Sequence, residues 1–207
     1  MQILPPSDIG IRQALTILRH GGVVAHATET CYGLACDMGN VEAVAKVFAI
    51  KKRPDTQPIS ALFATLDQAK LYLEWNDLAE KLAAAHLPGP LTIILKLRTD
   101  SPSKLFPSPI TNHQSPITIG TRVSPHPTAL ALVEAFGSPL STTSANIHGQ
   151  PNPYSIDDLL LQFKDAKEKP DLILDDGPLE IKEVSTVVDC SEGIMTVIRK
   201  GSLDLSS

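Results

Sequence analysis

Three short stretches carry side chains that could do chemistry together. They are Thr28-Glu29-Thr30-Cys31-Tyr32-Gly33-Leu34, Lys51-Lys52-Arg53-Pro54 and Leu140-Ser141-Thr142-Thr143-Ser144-Ala145-Asn146. Taken singly, each has a plain reading. The first is a turn after a strand, the second a helix end whose cations complement the helix dipole, and the third a cluster of turn and capping residues. Taken together they supply a lysine, arginines, a dense array of hydroxyls and an asparagine, with no convincing general base. Such a set suits chemistry at phosphorus, where a protein mainly positions the reactants and stabilises charge. Lys51 would act as a point charge on phosphate and Arg53 as a planar fork gripping two oxygens. Magnesium would be carried largely by the nucleotide, so few protein carboxylates are needed.

Other chemistries find little support. No Ser-His-Asp order, paired catalytic carboxylates or metal cage stands out, and the histidines at 20, 26, 86, 113, 126 and 148 sit in unrelated contexts. His26 is nearest to one of the three stretches. There is no Gly-x-x-x-x-Gly-Lys-Ser/Thr loop and no Gly-x-Gly-x-x-Gly after a strand. Cys31, Cys36 and Cys190 are an odd set, which argues against a disulfide framework, and they are too few for a zinc site. A net charge of −5 disfavours a broad nucleic-acid-binding face but allows a local basic pocket. No apolar run approaches the ~18 residues of a membrane helix, and Met1-Gln2-Ile3-Leu4-Pro5-Pro6 lacks the pattern of a secretory signal. The expectation is a reduced, cytoplasmic protein with no membrane association.

The elements that must position these stretches follow from periodicity and punctuation. Ser7 or Asp8 caps a helix with Ile11, Ala14, Leu15 and Leu18 at helical spacing, and Gly21-Gly22 stops it. Val23-Val24-Ala25 reads as a buried strand running into a polar loop over 28–34. Asn40 caps a helix from Val41 to Ile50, which Pro54 cannot continue. Strands are expected at 58–63, 91–97, 117–123, 172–174, 185–189 and 195–199, and helices at 66–73, 78–86, 128–136 and from Ser155 through Phe163. In the strand at 117–123, the period of two puts Thr118, Gly120 and Arg122 on one face. Residues 99–116, with four prolines and four serines, read as a surface loop that could serve as a lid. With 207 residues and 43% hydrophobic content, one α/β domain is expected: a twisted, mixed β-sheet flanked by helices, its core over about residues 8–201.

The chain closely resembles the YrdC-like family of threonylcarbamoyl-adenylate synthases, in its short single-domain form. The motifs that carry the resemblance are Thr-Glu-Thr-Cys-Tyr-Gly-Leu (28–34), Lys-Lys-Arg-Pro (51–54), Pro-Gly-Pro-Leu-Thr (88–92), Gly-Thr-Arg-Val (120–123), Thr-Ser-Ala-Asn (143–146) and Ser-Thr-Val-Val-Asp (185–189). The resemblance implies condensation of L-threonine, bicarbonate and ATP, with magnesium, to threonylcarbamoyl-AMP and pyrophosphate. A tRNA-modifying transferase complex would take the product. It also implies a catalytic set of Lys51, Arg53, Ser144 and Asn146. ATP contacts would come from Lys51, Arg53, Gln57, Thr118, Ser144, Asn152 and Arg199, and threonine contacts from Thr30, Arg122, Thr142 and Ser185. Weak tRNA binding is a further implication. The alternative is a diverged paralogue that binds tRNA or double-stranded RNA without synthase activity, or that serves another acylation.

The chain departs from the family pattern at four places. Ala27 replaces a usual proline, Lys52 a common glycine, and Gln57 stands where a polar residue often follows the Arg-Pro pair. Leu62 stands where many members place a histidine that touches threonine.

Overall fold

The computed structural model describes residues 1–54, 57–109 and 117–205. Its strands are β1 (Gln2–Leu4), β2 (Val24–Ala27), β3 (Tyr32–Ala35), β4 (Ser60–Leu62), β5 (Leu91–Lys96), β6 (Thr118–Arg122), β7 (Leu140–Ser144), β8 (Leu172–Leu174), β9 (Thr186–Asp189) and β10 (Thr196–Arg199). Its helices are α1 (Asp8–Arg19), α2 (Val41–Lys51), α3 (Leu66–Tyr72), α4 (Asp77–His86), α5 (Pro127–Phe136) and α6 (Ile156–Phe163). The strands form one mixed sheet in the order β1-β8-β2-β3-β7-β4-β6-β5-β9-β10. The mixed α/β architecture expected from the sequence is the one observed.

Helix boundaries follow from local chemistry. Ser7, Asn40, Thr65, Asn76 and Ser155 each accept a backbone N–H at a helix start. Ser155 and Asp158 complete a reciprocal capping box. At the end of α2 the capping residue is Lys52, held in the left-handed conformation at φ 49°. This is the position where the family commonly has glycine, and a Cβ makes that conformation costly.

The two sheet faces are dressed differently. One face buries Ala25, Leu34, Ala61, Ile93, Leu95, Ile119 and Val188 under α2, α3, α4 and α6. The other buries Val24, Ala35, Leu62, Leu140, Leu172 and Leu174 under only α1 and α5. These two helices stop short, so among the described residues no helix covers the second face over the far ends of β7 and β4 or over β6, β5 and β9.

Two readings of the sequence need correcting. The segment 28–34 is not all loop. Tyr32, Gly33 and Leu34 belong to β3, paired antiparallel with β2, and the turn is confined to 28–31. The Thr28 hydroxyl organises that turn, accepting from the Thr30 and Cys31 backbone N–H groups at 3.2 Å and donating to the Cys31 carbonyl at 2.7 Å. The hydroxyl-rich run at 140–144 is likewise strand rather than turn, and β7 joins β3 to β4 in mid-sheet. Its β-branched threonines suit extended backbone. Its buried Ser141 hydroxyl is used up within the sheet, accepting from Cys36 N and donating to Leu34 O.

The lid reading is also altered. Leu105 is buried, Phe106 N donates to Met38 O, and Pro107 O accepts from Ile59 N. That part of the segment is fastened to the body, and residues 110–116 lie outside the described residues.

Candidate active site

The bare half of the sheet forms the floor of a cavity of about 460 Å³. Strand pairing aligns its side chains in rows. Thr142 of β7, Ser60 of β4, Gly120 of β6, Ile94 of β5 and Asp189 of β9 lie in register across five strands. Leu62, Arg122, Thr92 and Val187 form the next row. Gly120 lies at the centre of the first row. A Cβ there would clash with the Ser60 hydroxyl and come within 3.0 Å of Thr92 Cγ2, so only glycine keeps the floor flat.

Three guanidinium groups reach this space, and each is gripped along one edge. Arg53 donates through Nε to Gln57 O at 2.8 Å and through Nη2 to Pro58 O at 3.1 Å. Arg199 donates to the Ser185 carbonyl and hydroxyl. Arg122 donates through Nη2 to Glu29, and the same carboxylate accepts from the Ser124 hydroxyl. The Arg122 and Glu29 side chains are only 9% and 15% exposed. The Arg122 Nε is buried and has no partner among the described residues. A guanidinium can match a carboxylate with two parallel hydrogen bonds.

The electrostatics favour an anion. Burial holds Arg53 below its ordinary range. Burial, followed by the charges of Arg122 and Arg53, does the same to Arg199. Three cations that repel one another in a partly desolvated cavity are relieved by a bound anion. The Cys31 thiol, in the cavity wall, is pushed up by burial and stays protonated.

Lys51 and Asn146 stand behind the wall rather than in it. Lys51 is 2% exposed. Its ammonium donates to the Asn146 carbonyl at 3.0 Å, to Asn146 Oδ1 at 3.1 Å and to the Ser144 carbonyl. Burial, with Arg53 second, pulls it down to about 7. Three acceptors around one nitrogen match the three N–H bonds of the charged form. The Ser144 hydroxyl donates to Asn146 Oδ1 at 2.6 Å, which leaves its lone pairs for the cavity. Lys51 thus fixes the end of β7.

The family model described as Telomere recombination, for Sua5, YciO and YrdC, matches residues 16–201. The chain belongs to the Sua5/YciO/YrdC family. A threonylcarbamoyl-AMP synthase of Bacillus subtilis is 33% identical to it over 201 residues, 97% of this chain and 56% of the relative. Sua5 of Pyrococcus abyssi, solved in complex with L-threonine, superposes with a TM-score of 0.84 at 33% identity, over 99% of this chain and 57% of that one. YciO of Escherichia coli is 32% identical over 97% of this chain and 93% of its own length, and its crystal structure superposes with a TM-score of 0.82. The chain therefore spans about half the length of the first two relatives and nearly all of YciO.

Among the residues singled out in this member of the Sua5/YciO/YrdC family, Arg53, Gln57, Thr118, Ser144, Asn152 and Arg199 line the cavity, as do Thr30, Arg122, Thr142 and Ser185. Lys51 and Asn146 are brought to its back wall. Leu62 is Arg122's neighbour in the sheet but turns into the apolar cluster under α5. His26 is fully buried on β2, its Nδ1 within 3.0 Å of Ala27 O and its Nε2 unpartnered. Burial drives it down to about 4, so it is neutral. Sequence reading gave no role to Glu29, Ser60, Thr92 or Asp189. Glu29 lies inside a motif already quoted, and a carboxylate in a hydroxyl-rich turn was the available signal. Ser60 and Thr92 could have been found by extending the period-two face of Thr118, Gly120 and Arg122 to the neighbouring strands.

Proposed function

We propose that the chain is an L-threonylcarbamoyladenylate synthase. It would condense L-threonine, bicarbonate and ATP and release pyrophosphate, for threonylcarbamoyladenosine modification of tRNA by a partner transferase complex. The observation that carries this reading is Arg122. Its guanidinium is braced by Glu29 in the lining of a hydroxyl-rich cavity, and its buried Nε has no partner among the described residues. The substrate carboxylate pairs with this guanidinium, while Thr30, Thr142 and Ser185 receive the amine and side chain. Arg53, Gln57, Thr118, Ser144, Asn152 and Arg199 receive the nucleotide.

The amine takes up bicarbonate with loss of water, or carbon dioxide with loss of a proton, to give a carbamate. A carbamate oxygen attacks the α-phosphorus, the bond to the β-phosphate breaks, and pyrophosphate leaves. The protein's contribution is alignment and charge stabilisation. Magnesium, carried by the phosphates, would supply charge neutralisation there. At the β7 end the hydroxyl of Ser144 and water would hold it.

The test is pyrophosphate release from ATP and bicarbonate, with and without L-threonine, together with mass detection of the adduct. Threonine-dependent release with the adduct is expected. A protein that binds ATP but releases nothing with threonine is a paralogue with another acceptor. That second reading is favoured by Leu62 at the family's histidine position and by the end-to-end match to YciO. Failure to bind ATP leaves the RNA-binding module.

A further inference from the structure

Asp189 is the one carboxylate among the described residues lining the cavity, and it shares the space with three arginines. It forms no ion pair with any of them among the described residues. It sits at the end of β9, four strand steps from β7, roughly 19 Å at the usual spacing. Of the groups suited to phosphate, Arg53, Ser144 and Asn152 belong to the β7 end, while Arg199 lies on β10 and is held to Ser185.

Asp189 is flanked in the cavity lining mainly by apolar side chains. Ile94 pairs with it across one side, Val187 precedes it on the same face, Ile198 joins them from β10, and Thr196 pairs with it on the outer side. Ile198 arrives there through an irregularity in the β9–β10 pairing. The register slips between Val197 and Arg199, so the consecutive side chains of Ile198 and Arg199 both reach the cavity. A bulge of this kind re-aims side chains.

One oxygen of Asp189 is already committed, since Oδ1 accepts the Ser191 N–H at 2.8 Å. The other has no partner among the described residues and faces a lining of Ile94, Val187 and Ile198. This is the chemistry that recognises the edge of a flat ring bearing one amine. A guanine edge offers a fork of two donors and wants both oxygens of a carboxylate. A ribose has no flat face for Ile94, Val187 and Ile198 to cover.

We infer that Asp189 reads the exocyclic 6-amine of the nucleotide base and selects adenine over 6-oxo purines. This rests on the proposed function, in that the cavity must take a nucleoside triphosphate with its phosphates at the β7 end.

The test is calorimetric binding of nucleotides to the full chain, without turnover. Wild-type protein should bind ATP about tenfold to a hundredfold more tightly than inosine triphosphate or purine riboside triphosphate, the range of one hydrogen bond to a charged group. Asp189→Asn keeps an acceptor for Ser191 and places a donor in the cavity. It should weaken ATP by about tenfold or more and leave inosine triphosphate unchanged or tighter. Equal affinity of the wild type for all three nucleotides overturns the inference while leaving the nucleotide site intact, and this arm needs no variant to fold. Tighter binding of guanosine triphosphate than ATP also overturns it. Absence of any nucleotide binding removes the proposed function and this inference together.

Discussion

One face of one sheet is used in two opposite ways. Over β8, β2, β3 and the near ends of β7 and β4 it carries Leu172, Leu174, Val24, Ala35, Leu140 and Leu62, closed beneath α1 and α5. Over the remainder it carries Thr142, Ser60, Thr118, Arg122 and Thr92, which no helix covers. The backbone is the same ladder throughout, so the difference lies in the side chains and in where two helices stop. Along β4 the change takes two residues, from Ser60 in the cavity to Leu62 in the core. A covered half rewards apolar volume. An open half can hold buried charge only where each charge is braced, as Glu29 braces Arg122.

The sharpest way to break this contrast is at that brace. Arg122→Ala should lower threonine-dependent pyrophosphate release by about 10²–10³-fold, with the loss carried in the KM for threonine. It should also destabilise the fold by about 3–5 kcal/mol in urea unfolding, because Glu29 is left as an unpaired, largely buried carboxylate. Adding Glu29→Gln should recover much of the stability and none of the activity.

In the covered half the reverse is expected. Leu132→Ala, in α5 and fully buried, should cost about 2–5 kcal/mol in the same unfolding measurement and leave kcat unchanged.

His26 sharpens the comparison through pH. Its folded value of about 4 lies below its ordinary 6.5, so the unfolded chain holds more protons between those two points. Stability from this group is complete above pH 6.5 and is lost as pH falls toward 4, by about 3 kcal/mol in all. Unfolding curves at both ends of that window should show the loss in the wild type, and a smaller one in His26→Gln.

Lys51→Met removes the donor that ties the Ser144 and Asn146 carbonyls and Asn146 Oδ1 together, and should lower kcat by about 10²-fold. An unchanged KM for ATP would mark Lys51 as a residue that positions Ser144. A raised KM would restore the direct phosphate contact expected from sequence.

Much of the fold was legible because its signals are local. Capping residues, the β-branched run of β5 and the alternation of Thr118, Gly120 and Arg122 each declare an element from within a few residues. β7 was not legible as a strand, because a run of four hydroxyl residues has the composition of a turn. Its place in mid-sheet comes from partners at residues 33–34 and 60–62. The site was legible through its motifs, which named the residues that converge. Their orientation was not. Nothing in Lys-x-Arg says that the lysine turns inward to β7 while the arginine turns to the cavity, since that depends on where α2 ends against a strand almost a hundred residues away. Glu29 was passed over for the same reason, because its partner Arg122 is distant in sequence and adjacent only in the folded sheet.

The central place of β7 also sets the order in which the molecule can be completed during synthesis. β3 and β4 flank it on either side, and both emerge from the ribosome long before residues 140–144. Until then each presents an open edge of unpaired backbone groups, the kind of edge that invites the wrong neighbour. Insertion of β7 seals both edges at once and carries Thr142 and Ser144 into place. Closing the seam is a late, long-range event, and the cavity is completed later still by β9 and β10, so a nascent chain halted before β7 has neither a continuous sheet nor a binding site.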